Sequence, residues 1–417
     1  MNVSKPIIEI AFFRKVVCLC LVLFISFPFI QILPLGGYTQ PYALIISILI
    51  LPFAINVNFQ QLTAPMLLVL VSFMVVGLLI FIATCYPYKN YQEYKYLSTY
   101  IGFPTIVFST VFFLKKEKVL VIRILECSVY IWLFVALFQK MWQPDFMLGL
   151  LSVSSTIAND ILASGRGVLS LAPEPTHYGF HMIMLAAALA VLGGRKFPIA
   201  LALIQSILLA KSASAAMALG LGFIFAVIVS GKINFKMVSV TVVAICVSAI
   251  LLYYFGSKSR IVLLVSEFIV DPIGIIFMDY SLNLRLGGMV ASFAYILDNF
   301  FVPHGMSHDA WLSSAESIRS INPWLVDISS VGPPSGVAVI LYQAGIFMLL
   351  QLVIIMVAIF RTKIKGLKVI LIYTVPFVVL GQYYISAPLF AFIYASVLMN
   401  NRFTIRADTR INKEFIK

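Results

Sequence analysis

The feature that most restricts this chain is a succession of apolar runs of about 15 to 25 residues, each near the length a helix needs to cross a bilayer. They begin near Val16, Tyr42, Ala64, Tyr100, Val119, Tyr178, Phe197, Met217, Met237 and Gly336, and the stretch from Lys368 to Met399 holds two shorter ones about a turn near Ile385. With 62% of residues hydrophobic and 11% charged, the expected fold is an all-α polytopic membrane protein. Unbroken runs exclude a β-barrel, whose strands alternate. The five cysteines show no repeated spacing, so neither a disulfide framework nor a zinc site is expected.

A net charge of +13 suggests nucleic acid until its placement is considered. Most of the basic residues fall in short clusters between runs: Lys5, Arg14 and Lys15; Lys115, Lys116 and Lys118; Arg195 and Lys196; Lys232 and Lys236; Arg361 to Lys368; and the tail from Arg402. Cytoplasmic loops of membrane proteins carry such excess, so the charge sets topology, and no nucleic-acid partner is expected. Threading the runs with every cluster on one side gives roughly 12 spans with both termini cytoplasmic. The first run lacks a small-residue cleavage site and is kept as a span. The chain then divides into amino-terminal spans (1–138), a first external loop (139–177), central spans (178–255), a larger external loop (256–334), and carboxy-terminal spans with a basic tail (335–417).

Several features between the runs have two readings. Tyr86, Tyr88, Tyr91, Tyr94, Tyr96 and Tyr100 form an interfacial aromatic belt or a sugar-stacking surface, the belt being favoured. Arg123 and Glu126, three apart, can pair on one helix face. At KSASAAMALG, Lys211, Ser212 and Ser214 either present a re-entrant turn to an anion or mark a close helix crossing. Glu267, Asp271 and Pro272 make the run before them an interfacial helix rather than a span. Beyond it, Met289, Phe293, Ile296 and Phe300 recur at helical spacing, with Arg285 at the amino end.

The stretch SGRGVLSLAPEPTHYGFH (164–181) sets Arg166, Glu174, His177 and His181 around two prolines at a membrane edge, where ionisable groups are costly unless they line a wet cavity or the protein interior. The second loop adds Lys258, Arg260, Arg285, His304, His308, Asp309 and Arg319. Arginine presents a fixed fork of donors that matches phosphate oxygens, so arginines from two loops on one face can clamp a diphosphate leaving group. A base is also needed for transfer to a hydroxyl. Glu174, His177, His304 and His308 are the candidates, although a lone histidine at a membrane edge is more often structural. No P-loop, GxGxxG, HExxH, CxxC or paired Asp-x-Asp is present, so no cofactor or metal is expected.

GRGVLSLAPEPTHYG, LLAKSASAAMALGLG, LRLGGMVASFAYILDNFFVPHGMSHDAW and SGVAVILYQAGIF together resemble segments of the Wzy-type O-antigen and exopolysaccharide polymerases, over about Ile161 to Leu350. The resemblance implies a GT-C-like glycosyltransferase of the bacterial inner membrane that joins undecaprenyl-diphosphate-linked repeat units on the periplasmic face. It makes Arg166 and Arg285 the diphosphate-binding residues, with Glu174 in the loop motif; Arg260 and Lys211, and secondarily Arg319, are further candidate cations on their charge and placement alone. Glu174 with His304 or His308 would act on the acceptor. The implied partners are the lipid-linked oligosaccharide, membrane lipids and a chain-length regulator. O-antigen ligases share the pattern but typically place a His-Asn pair where this chain has Pro333, Pro334 and Ser335, which favours polymerase. A flippase for the same lipid-linked units is a further alternative, although its two similar halves and charged central path are not found here.

Overall fold

The computed structural model describes residues 5–33, 39–85, 91–151, 167–230, 267, 270, 271, 274–278, 280–329, 332–362, 364, 368–381 and 387–414. Among them the chain is helical throughout its regular structure and contains no strand. The first four helices are α1 (Lys5–Ser26), α2 (Tyr42–Gln61), α3 (Ala64–Cys85) and α4 (Tyr91–Met141). Three helices are long and apolar enough to cross a membrane: α3, the Glu93–Met141 part of α4, and α5 (Pro175–Leu192). These are compatible with a membrane protein.

Helix α4 is two helices joined at Glu117, whose φ of −134° and ψ of 32° leave the helical region. Its first limb packs Phe103 on Phe390 and brings Leu114 beside Met399. The second returns from Glu126, which meets Arg195, through Trp132, stacked on Tyr178, to Gln139, bonded to Ser170. The two apolar runs expected on either side of Lys115–Lys118 are therefore present, with the turn compressed to one residue. Glu117 is also the partner of Arg14 (2.7 Å to Nε), which ties α1 to this turn.

The remaining elements are a 3-10 turn Leu148–Leu150 between α4 and α5; α6 (Lys196–Ile204), continued by a π turn Gln205–Leu209; α7 (Ala213–Ser230); short helical turns Gly274–Met278 and Tyr280–Leu282; a π turn Asn283–Gly287 leading into α8 (Gly288–Asp298); α9 (His308–Ile321); α10 (Gly336–Ala344); α11 (Ile346–Phe360); α12 (Lys368–Gly381); and α13 (Pro388–Glu414). Helix α5 is central, packed by α4, α6, α7, α12 and α13. Of its most apolar window 94% is buried, against 28% for α3, so α5 lies inside and α3 at the periphery. The crossing of α5 and α7 is close because both faces are small: a Cβ on Gly179 would sit 2.9 Å from that of Ser212.

Three expectations are corrected. Glu126 pairs not with Arg123 but with Arg195, whose backbone N–H donates to Oε1 (2.9 Å) and whose Nε donates to Oε2 (2.7 Å). Arg123 is exposed and takes no part in that pair. The run from Gly336 to Phe360 is broken at Gly345, where φ is 54° and ψ −136° and a Cβ would collide with the Phe301 carbonyl oxygen. The inward face of α8 is Gly288, Ala291, Ser292 and Ile296, whereas Phe300 lies past the helix end and is 87% exposed. The turn near Ile385 falls outside the described residues, although α12 and α13 lie on either side of it.

Candidate functional site

The site is assembled where the first loop enters α5 and the second loop enters α8. The approach to α5 is held by a buried polar network. Gln139 binds Ser170 twice, Nε2 donating to its carbonyl (2.9 Å) and Oε1 accepting from its N–H (2.6 Å). Ser170 takes a left-handed conformation (φ 53°), and its hydroxyl donates to the Trp132 carbonyl (2.8 Å). Trp132 Nε1 donates to the Ser26 carbonyl (3.0 Å), which also lies 2.8 Å from His181 Nε2. His181 is fully buried against Trp132 and Phe29 and serves packing. His177, one turn earlier, is half-buried beside Phe29 (5.8 Å between centroids) and lies within electrostatic reach of Glu174 and Arg285.

Glu174 is extended (φ −145°, ψ 154°) and stands immediately before Pro175, the first residue of α5. Proline suits that position because its missing N–H has no intrahelical partner there. The Glu174 carboxylate does not cap its own helix. It accepts instead from Arg285 Nη2 (2.9 Å), while Arg285 Nη1 donates to Thr176 Oγ1 (2.8 Å). The guanidinium is largely buried (13% exposed) and the carboxylate about one-third exposed. The pair links residues 111 positions apart, from the two loops that sequence reading singled out.

Arg285 sits in a π turn, which widens the helix by one residue per turn and turns side chains to new directions. The turn is fixed from outside. Asn283 Nδ2 donates to the Trp324 carbonyl (3.0 Å), and its Oδ1 accepts from Val326 N–H (2.9 Å). The second π turn, Gln205–Leu209, also lies near the site: the Leu209 carbonyl accepts from Val168 N–H (3.0 Å), and Gly167 packs on Ala210 so closely that a Cβ would collide with it. Lys211 follows, exposed and left-handed (φ 46°). Ser212 then caps α7 by accepting from Ala215 N–H (3.2 Å). Of the two readings for this stretch, the small-residue crossing is present, and Lys211 is an exposed cation next to Ala210, on which Gly167 packs.

Arg166, Lys258 and Arg260 lie outside the described residues. His304 is stacked on Tyr342 (4.8 Å, 17°), and its Nδ1 is buried without a hydrogen-bond partner. Burial holds its pKa below the ordinary histidine value, an effect partly offset by the carbonyls of Val302 and Tyr342. His308 opens α9 and joins no bond described with His304. Arg319 is exposed at the far end of α9, near Asp327. Tyr100, expected in an aromatic belt, is fully buried with its hydroxyl on Gln343 Oε1 (3.1 Å); Tyr94 is exposed and Tyr96 half-buried. Thr176, Asn283 and Tyr342 were not singled out as site residues by sequence reasoning. Thr176 and Tyr342 stood in quoted motifs, but nothing in the chain's order signals Asn283. Among the described residues, no three His, Cys, Asp or Glu side chains gather as a metal would require.

What this arrangement can do chemically is hold an anion against a largely buried guanidinium with a partly exposed carboxylate beside it. The chain matches no family model, no curated protein and no solved structure.

Proposed function

We propose that the chain is a polysaccharide polymerase of the bacterial inner membrane, with roughly 12 spans in a GT-C-like arrangement and both termini cytoplasmic. It would transfer glycan from an undecaprenyl-diphosphate-linked donor to a second lipid-linked repeat unit at the periplasmic face. The observation that carries this reading is the Arg285–Glu174–Thr176 cluster, a cation and a carboxylate from two separate loops at one helix start. It is supported also by the likeness of the surrounding motifs to the Wzy-type polymerases.

In this mechanism a diphosphate oxygen replaces the Glu174 carboxylate on Arg285, and Arg166, Arg260 and Lys211 complete the clamp. The guanidinium then stabilises charge on the departing diphosphate. Glu174, released, accepts the proton of the acceptor hydroxyl as its oxygen bonds to the anomeric carbon. The bond from that carbon to the diphosphate breaks, and its electron pair leaves with undecaprenyl diphosphate. His304 or His308 orients the acceptor, and Arg319 is a secondary cation.

The test is surface polysaccharide displayed on a gel from cells carrying Arg166→Ala or Arg285→Ala. Loss of the long-chain ladder with a single repeat unit retained is expected. A normal ladder from both variants removes the mechanism. Lipid-linked units accumulating on the cytoplasmic face after deletion would instead indicate a flippase.

A further inference from the structure

The second loop carries two amphipathic helices whose outward faces differ in kind. On α9 the exposed positions include Asp309, Ser313, Glu316, Ser317 and Ser320, a polar face with Ile321 (70% exposed) as an apolar exception at the helix end. On α8 they include Val290 (59% exposed), Ala294 and Leu297 (55%), in line at helical spacing, with Asp298 at the flank. The stripe continues past the helix end into Phe300 and Val302.

Phe300 (φ 53°) and Phe301 (φ 56°) are both left-handed, a conformation that disfavours aromatic residues. The strain is held by the break between α10 and α11, where the Phe301 carbonyl accepts from Ile346 N–H (2.9 Å) against the bare Cα of Gly345. This anchorage sets the turn at the start of α11. There Ile346, Leu350, Val353 and Val357 form an exposed apolar stripe of the kind a membrane helix turns to lipid. The α8 edge is thus continuous with a lipid-facing surface, while α9 on the same loop faces the opposite medium.

We propose that the α8 edge of this external loop, from Val290 through Leu297 to Phe300, is immersed in the acyl region of the adjoining leaflet. The strained turn then acts as a wedge that seats the loop on the bilayer. Its occupant is lipid hydrocarbon, not a second copy of the chain or another protein. The consequence is positional: Arg285, one and a half turns before Val290, is held near the plane where lipid phosphates lie. The inference does not rest on the polymerase reading and survives its failure.

The experiment uses the full chain in phosphatidylethanolamine and phosphatidylglycerol vesicles, with the five native cysteines replaced by alanine. Phe300→Cys, Leu297→Cys and Ser317→Cys are each labelled with a nitroxide, and collision with oxygen is compared with collision with a water-soluble nickel chelate. Positions 297 and 300 should show an oxygen-to-nickel ratio several-fold above that of position 317. Ratios at 297 and 300 equal to that at 317 would place the edge in water and overturn the proposal. Shielding of 297 and 300 from both reagents would also overturn it, since it means protein covers the edge.

Discussion

The two walls that meet at Glu174 and Arg285 are built in opposite ways. The α5 wall is embedded in the core: Ser170, Trp132, Gln139 and His181 are buried, and each has a hydrogen-bond partner among its neighbours. The α8 wall is peripheral, held at one end by the Asn283 bonds to Trp324 and Val326 and at the other by the strained turn at Phe300–Phe301 with Gly345. A satisfied buried network specifies one geometry, because breaking any bond leaves a desolvated group unpaired. A peripheral element fixed at few points is free to shift at less cost. The comparison assigns the carboxylate to the fixed wall and the arginine to the adjustable one, which suits the anion exchange proposed above.

The largest expected effect tests the fixed wall. Trp132→Ala removes a fully buried ring stacked on Tyr178 and Phe27 and the donor to the Ser26 carbonyl. It should cost about 3–5 kcal/mol, as aromatic truncations in cores do. Denaturant unfolding of the purified protein in detergent checks this; a loss under about 1 kcal/mol, the scale of a surface change, would mean that the α5 wall is not an anchor.

Next comes Gly345→Ala. It places a Cβ against the Phe301 carbonyl at a backbone conformation reserved for glycine and should cost about 1–3 kcal/mol. The sharper readout is local. Amide hydrogen exchange should rise over residues 299–305 and stay unchanged over 167–176. A uniform rise across both segments would erase the distinction between the walls.

The same contrast explains what could be read from the chain's order. Apolar runs reported most of the helices because burial or lipid exposure of a whole segment leaves a composition signal. The joint at Lys115–Lys118 and the break at Lys211–Ser212 were visible because charge or small polar residues interrupt those runs. Within the site, the prolines and ionisable groups of 164–181 and the cation at 285 were legible as polarity where apolar residues prevail. Their pairing was not, since local spacing cannot see a partner 111 positions away. The error at Glu126 has that same origin: Arg123 is close in sequence, but Arg195 is close in space. Gly345 left no mark in hydropathy, and only its φ shows that a continuous apolar run is two helices.

A smaller effect is expected at the junction of the walls. Thr176→Val keeps the shape of the side chain and removes the acceptor for Arg285 Nη1. With the guanidinium only 13% exposed, the lost bond should cost about 0.5–1.5 kcal/mol. Under the proposed function, the polysaccharide ladder should shorten without vanishing, in contrast to its loss in Arg285→Ala. A ladder identical to that of the unaltered protein would show that Thr176 does not hold the arginine.

The smallest effect concerns pH and belongs to the peripheral wall alone. Burial lowers the pKa of His304 from the ordinary 6.5, so the folded state binds this proton less readily than the unfolded one. His304 therefore contributes full stability above pH 6.5, and that contribution declines as pH falls from there toward the folded-state value. Protonation would put a charge on a ring stacked against Tyr342 whose Nδ1 has no partner, loosening the turn that precedes α9. His304→Phe preserves the stacking and removes the titration. Its stability should lose less than that of the unaltered protein between pH 7 and pH 5, with the difference confined to exchange over 299–308. Equal pH slopes for the two proteins would show that the imidazole is already solvated, and that this end of the α8 wall owes its attachment to the strained turn and Gly345 without help from the ring.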